Sequence, residues 1–526
     1  MRQAMPWSRL PWHPILFAVV VVVGPWADSA VSPYSAIRAL GVTVSGAIIL
    51  TALLAIVLRS AMVGAIATSS LVAVLWTKHP IEFAIDSAER MSMLLAAVWA
   101  GLIMLAGLLV IRILITVLPR ITIAGLTSVL NRTSSLLLLA TVIFALVNGR
   151  VVQALPDLEQ GQSLSSWQDD PSNATTPTKP NFYFILLDGY PRADVLGYVF
   201  DLDTSPFLDD LKERGFVVAA ESHSDYLWTH LSLPSTLNME YVENIPAMRA
   251  VIDGNAPRQP TLRRAVADNR AFDLLHEQGY ATVAVAPGFE EVVARQADVY
   301  VDGGQMNEFE LSLLSSTFAG DVMNFIAADF ASAQQRNRIL ANLDALPAIA
   351  TVADEHAPAF VFAHIPAPHQ PTVFGEAGIP LSVPISKHFF ADNPSERGEN
   401  RDEFIARYRS QLPYLNAQIL EAVDGILVNS TRPPVIILWA DHGSESMADW
   451  LVTQPGDADP VQLLERTGTF FAALTPNHTN VFPNDISPVN ILRFVFDTYL
   501  GTDLGAAIPP DDGGQIPPVD ASVLQP

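Results

Sequence analysis

Five apolar runs, Pro14–Trp26, Ile37–Leu58, Ala61–Trp76, Met93–Leu118 and Ser134–Val147, fill the first 150 of 526 residues, with short polar hinges between them. Crossing the hydrocarbon layer of a bilayer takes about 20 apolar residues. The second and fourth runs reach that length comfortably; the other three are shorter. A short apolar run also suits a buried core helix. Five in series, with only four acidic residues across the whole region, predict instead a bundle of about five transmembrane helices. The first run has a second reading. Arg2 and Arg9 before it and Ala27-Asp-Ser-Ala30 after it also fit a cleaved signal peptide.

Charge divides the chain at the same place. Residues 1–150 carry ten Lys/Arg and four Asp/Glu, leaving 20 basic and 50 acidic residues for 151–526 out of totals of 30 and 54. So acidic a region is a poor match for phosphate backbones, and a nucleic-acid partner is not expected. Arg2, Arg9, Arg59, Arg120 and Arg132 fall on one set of connections, and Asp28, Glu82, Asp86 and Glu89 on the other. The positive-inside bias makes the first set cytoplasmic and places residues 151–526 outside, on a multi-pass anchor in the inner or plasma membrane. No ionisable residue sits in mid-run except Arg112, which lies near an end and can snorkel, so no transport path is expected. Cysteine is absent, which removes disulfides, thiolate metal sites and a Cys nucleophile.

After a polar tether over Pro156–Pro180 (residues 151–180 as a linker), about 330 residues alternate between short apolar runs and helical patterns. Strands are expected at Phe182–Leu187, Phe216–Ala220, Ala281–Ala286, Ala359–His364, Pro434–Ala440 and Thr469–Leu474, with a long helix over Arg401–Val428. Continuous apolar strands separated by helices indicate an α/β, doubly wound domain over 181–507, with a parallel sheet covered on both faces. Residues 508–526, rich in proline, read as a loose tail. Ligands in such folds bind beyond the carboxyl ends of the strands. That rule selects Asp188 after the first strand, His364 at the end of another, and Asp441 and His442 after a third.

Each piece has an ordinary structural explanation when taken alone. Asp-Gly and Asp-His-Gly also suit a strand-to-loop turn. Thr229, ahead of Ser232-Leu-Pro-Ser and a helical pattern, suits an N-cap, although a hydroxyl there also suits a nucleophile beside helix amides that favour anions. His364 and His369, five apart with prolines between them, suit a strand end and an extended loop rather than one helical face.

Together these segments resemble the sulfatase-type branch of the alkaline phosphatase superfamily. They are most similar to its membrane-anchored phosphotransferases, the lipoteichoic acid synthases and phosphoethanolamine transferases. The resemblance covers roughly 181–500. It implies Thr229 as nucleophile and metal ligand, Asp441 and His442 as the late metal pair, and His369 as a substrate-facing group. Asp188, Thr229, Asp441 and His442 would give one divalent cation three oxygens and a nitrogen, a set that suits Mn²⁺, Mg²⁺ or Zn²⁺ alike. Thr229 would attack phosphorus and leave a phosphothreonine, while His364 and His369 bind phosphoryl oxygens or protonate the leaving group.

The departures are specific. Sulfatases of this branch carry a modified Cys or Ser in C/S-x-P-x-R, whereas Thr229-His-Leu-Ser-Leu lacks the Pro and Arg. The transferases usually place Glu where Asp188 stands. The expected activity is therefore phosphoryl transfer on a membrane lipid or cell-envelope phosphodiester. The alternatives are a sulfuric ester hydrolase and a non-catalytic envelope receptor.

Overall fold

The computed structural model describes residues 10–29, 31–76, 78, 122–147, 160–167, 179–252, 258–356, 358–386, 388–391, 394–446, 459–505, 507–509 and 516–524. The chain forms two compact units. One contains Met1–Leu158 with Phe309–Ala327 and Ile385–Lys387; the other contains the remainder.

The first unit holds helices α1 (His13–Asp28), α2 (Pro33–Val57), α3 (Ala61–Trp76) and α4 (Ile123–Val147). α2 and α4 are long and apolar enough to cross a membrane; α1 and α3 are shorter. The expected run Met93–Leu118 lies outside the described residues. The expected run at Ser134 starts earlier, at Ile123, so Arg132 lies within α4 and not in a connection. This unit is packed inside out. Many of its buried positions are small or polar, among them Ser35, Ala47, Ala65, Thr68, Ser69, Asn131 and Ser134, while Val42, Ile49, Ile56 and Leu136 are exposed. Gly64 shows why small residues are needed, since a Cβ there would lie 2.5 Å from the Ala55 backbone nitrogen. Small interfacial residues allow such close approach when the outer face is lipid.

The second unit is built on a seven-stranded sheet of order β2-β7-β6-β1-β5-β3-β4. The strands are β1 (Phe182–Leu187), β2 (Val217–Val218), β3 (Ala281–Val285), β4 (Val299–Val301), β5 (Ala359–Ile365), β6 (Val435–Trp439) and β7 (Phe471–Leu474). β1, β3, β4, β5 and β6 run parallel, but β7 pairs antiparallel with β6 and β2 antiparallel with β7. The expected wholly parallel sheet is thus mixed, because an unbroken apolar run signals burial on both faces and carries no sign of direction. Alternation along β1 divides the core in two. Tyr183, Ile185 and Leu187 pack with the residues of α6 (Phe330–Glu355) and α7 (Arg401–Asn429). Phe182, Phe184 and Leu186 pack with Leu233 and Leu237 of α5 (Thr229–Asn238) and with Leu492 and Phe496 of α8 (Pro488–Leu500).

Two segments expected to be loose are partly docked. Within the tether, Gln162 bridges to Val299, and Trp167 is buried and stacks on His356 at 4.9 Å. In the tail, Ile516 is buried, and its amide donates to the Asp225 carbonyl at 2.9 Å. Scattered apolar residues in a polar, proline-rich stretch gave no periodicity to signal this.

Candidate active site

The parallel strands β1, β5 and β6 deliver their carboxyl ends to one edge of the sheet, and the selected residues meet there. Asp188 follows β1 directly. Gly189 holds φ +72°, a conformation that favours glycine, and its amide donates to Asp441 Oδ1 at 3.3 Å. Gly443 has a different reason to be glycine, since a Cβ there would fall 2.1 Å from the Glu465 carbonyl oxygen. The hydroxyls of Ser224 and Ser232 both donate to the Asp441 carbonyl, fixing the β6 exit against the start of α5.

Thr229 occupies the first turn of α5, with Trp228 as the N-cap residue, so its hydroxyl is not spent on capping. Its Oγ1 lies 3.1 Å from His442 Nε2. His442 Nε2 is in turn 3.5 Å from Asp188 Oδ1 and 3.5 Å from Asp441 Oδ2. Four groups from three distant segments of the chain therefore converge on one point. His442 donates from Nδ1 to the Gly443 carbonyl at 2.8 Å, and His369 donates from Nδ1 to the Gln370 carbonyl at 2.7 Å. Each ring then carries its lone pair on Nε2, the arrangement a metal-ligating imidazole needs.

The residues fit a cation. Asp188 Oδ1 and Asp441 Oδ2 are buried and receive no hydrogen bond among the described residues. Unsatisfied buried carboxylate oxygens are costly unless a positive charge meets them. Asp188, His369 and His442 also place ligand atoms within 4.8 Å of one another. The two carboxyls respond oppositely to this crowding. Burial pushes Asp188 up, but His369, His364 and His442 outweigh it and hold Asp188 below the usual range. Burial and then the neighbouring Asp188 carboxylate push Asp441 up. Two like charges in one buried site behave in this way when no cation offsets them.

His364 is placed differently from the expectation of a substrate-facing imidazole. Its side chain is fully buried, and Nε2 donates to Asp188 Oδ2 at 2.9 Å. It therefore orients Asp188. His369 does face the cleft, whose lining also includes Thr229, Trp228, Phe289, Glu291, Glu308 and Phe390.

Several supporting residues carried no sequence signal. Glu465 accepts from Ser444 Oγ at 2.8 Å and from the Ser446 amide at 2.6 Å, holding the loop after His442. Arg466 donates to the carbonyls of Leu227 and Gly443, tying the nucleophile loop to the metal loop. Glu291 and Glu308 were missed as well. The strand-end rule, applied to β3 with its Gly288-Phe-Glu-Glu exit, points toward the first of them.

A family model described as Sulfatase matches residues 180–467. Among solved structures, the chain is similar to the C-terminal periplasmic domain of EcEptC from Escherichia coli in complex with Zn, at 13% identity and TM-score 0.39, covering 64% of this chain and 86% of that one. It is similar to the C-terminal periplasmic domain of phosphoethanolamine transferase EptC from Campylobacter jejuni, at 13% identity and TM-score 0.37, covering 62% and 89%. It is also similar to a putative sulfatase from Bacteroides thetaiotaomicron, at 15% identity and TM-score 0.39, covering 66% and 75%. No curated protein sequence matches.

Proposed function

This chain belongs to the sulfatase family, and from that membership we propose a membrane-anchored, metal-dependent phosphotransferase or phosphodiesterase that uses Thr229 as nucleophile on a lipid or envelope phosphodiester outside the cytoplasm. The observation that carries the reading is the 3.1 Å approach of Thr229 Oγ1 to His442 Nε2, at a helix N-terminus, beside two carboxylates with unsatisfied oxygens. Asp188, Thr229, Asp441 and His442 would hold one divalent cation. When bound it would favour the Thr229 alkoxide and polarise a phosphoryl oxygen.

The remaining chemistry belongs to the chain. Thr229 Oγ1 forms a bond to phosphorus as the bond from phosphorus to the leaving alcohol breaks, and the amides at the start of α5 favour the transferring anion. The Nε2 lone pair of His369, in the same cleft, takes up the Thr229 proton on activation and passes it to the leaving oxygen. A second alcohol, or water, then displaces Thr229 from the phosphothreonine, and the hydroxyl regains its proton. An unmodified threonine does not yield the aldehyde hydrate of formylglycine, which favours phosphoryl over sulfuryl transfer.

The cleft wall supports a donor bearing a positive charge. Burial, and then Glu291 and Glu290, push Glu308 up to about 7, and Trp228, Phe289 and Phe390 line the same cleft. An ammonium headgroup relieves such carboxyl crowding and suits aromatic faces. The test is incubation of the metal-loaded full chain with phosphatidylethanolamine or phosphatidylglycerol, followed by intact-mass analysis. The expected result is a phosphoethanolamine-sized adduct on Thr229, absent in Thr229→Ala. An adduct on another residue overturns the site, and an adduct from phosphatidylglycerol alone overturns the headgroup.

A further inference from the structure

Residues 309–327 interrupt the sequence of the outer domain, yet they fold as part of the first unit. Phe309 and Leu313, on the helix Glu308–Ser315, are buried against Val22 of α1 and Ala36 and Ala39 of α2, with Trp26, Val31, Leu40 and Trp76 around them. These are the C-terminal half of α1, the N-terminal half of α2 and the C-terminal end of α3. Because the three helices run up, down and up, all of these positions lie at one end of the bundle. Arg38 and Glu310 form a two-pronged ion pair there, with Nε 2.7 Å from Oε1 and the Glu310 side chain only 3% exposed.

The next helix, Phe318–Ile326, is fixed to the same end. Lys78, two residues beyond α3, pairs with Asp321 at 2.7 Å. Asn324 accepts from the Ile385 amide at 2.8 Å and donates to its carbonyl at 2.9 Å. Held in this way, the helix leaves Phe318, Val322 and Phe325 on one face, at i, i+4 and i+7, with Ile326 beside them. Phe325 is 91% exposed, Ile326 68% and Val322 54%.

We infer that the helix Phe318–Ile326 is an interfacial element whose Phe318, Val322, Phe325 and Ile326 side chains insert into the lipid headgroup–acyl boundary. The occupant follows from continuity. The patch belongs to the end of a bundle whose outward faces are Val, Ile and Leu, the end that also carries Trp26 and Trp76, residues of the kind that mark a membrane boundary. An exposed phenylalanine on a short helix with a charged flank is the pattern of a helix lying in the interface plane. The inference rests on the anchored reading of α1–α4.

Because the chain has no cysteine, single-cysteine labelling tests it directly. The full-chain variants Phe325→Cys, Val322→Cys, Ile49→Cys and Asp201→Cys would each carry a fluorophore. They would be reconstituted in phosphatidylethanolamine/phosphatidylglycerol vesicles with nitroxide-labelled lipid. Ile49 on α2 serves as the lipid reference and Asp201, 96% exposed at its side chain in the outer domain, as the aqueous one. Quenching at 325 and 322 at least half as strong as at 49 supports the inference. Quenching at 325 and 322 no stronger than at 201, with 49 still quenched, overturns the interfacial helix and leaves the anchor intact. No quenching at 49 overturns the anchored reading, and the inference with it.

Discussion

His364 Nε2 donates to Asp188 Oδ2 at 2.9 Å, with both side chains shut off from solvent. The bond leaves Asp188 Oδ1 directed at the point where His442 and Thr229 converge, so His364 acts on the site through the carboxylate it aims. Partners of this kind are worth about 10–100-fold in metal affinity. His364→Ala should weaken Mn²⁺ or Zn²⁺ binding by about that factor in calorimetric titration. His364→Gln, which keeps a donor in the same region, should recover part of it. A purely structural role would lower stability without separating the two variants.

The carboxyl pair predicts how the protein responds to metal removal. Without a cation, burial and then repulsion from the Asp188 carboxylate push Asp441 up. Stripping metal with a chelator should lower Tm, and restoring it at about 100 times Kd should return about 2.7 kcal/mol. Asp441→Asn removes the repulsion. Its metal-free form should therefore melt above metal-free wild type, yet gain nothing from added cation. Differential scanning fluorimetry in detergent reads both effects.

At Thr229 the expected loss separates a nucleophile from a metal ligand. Thr229→Ala should abolish the covalent adduct and reduce turnover by at least about 10³-fold, whereas Thr229→Ser keeps an oxygen and should retain a measurable adduct. Quench-flow with a fluorogenic phosphodiester, combined with mass analysis, separates the two variants.

Much of the site was legible because its members sit where chain punctuation is strongest. Asp188 and Asp441 follow unbroken apolar strands, and Thr229 opens a helix, so the strand-end rule and the motif spacing coincide there. His364 was expected to face the substrate, but it points at Asp188. Alternation along β5 determines which way it points, and sequence spacing to His369 holds no information about that. β4 escaped notice because three residues are too few for a period, and the antiparallel direction of β7 is set by its pairing rather than its composition. In the first unit the same apolar runs identified the helices. Residues 309–327, which pack on them, look in sequence like an ordinary amphipathic stretch.

Asp225 gives the fold a pH dependence of unusual sign. It is buried, with the Ser487 hydroxyl and Val489 amide beside its carboxyl. Burial outweighs these donors and raises it to about 7. An unfolded aspartate titrates near 3.9, so between about pH 4 and 7 the folded state holds a proton that the unfolded state has lost. Stability is then greatest below the unfolded value and falls as pH rises through 7, by up to about 4 kcal/mol in total. Asp225→Asn should flatten this part of the curve and stabilise the protein at pH 8 while changing little at pH 4. Tm measured across that range checks the sign. A wild-type curve that rises from pH 4 to 7 at a slope Asp225→Asn does not alter would contradict it.

Trp167 tests whether the tether is a docked strap. It is 7% exposed, stacks on His356 at 4.9 Å and belongs to the main core cluster, although the residues around it in sequence are polar. Gln162 continues the attachment by bridging to Val299, and the Tyr300 amide donates to the Gln162 carbonyl at 2.8 Å. Replacing a buried tryptophan by alanine costs about 3–5 kcal/mol in a well-packed core, and less where the surroundings can relax. Trp167→Ala should therefore cost about 3 kcal/mol. It should also open residues 160–167 to limited proteolysis while leaving the Thr229 adduct unchanged. Cleavage rates equal to wild type would mean that the strap is held by its backbone pairing at Gln162 and not by the ring.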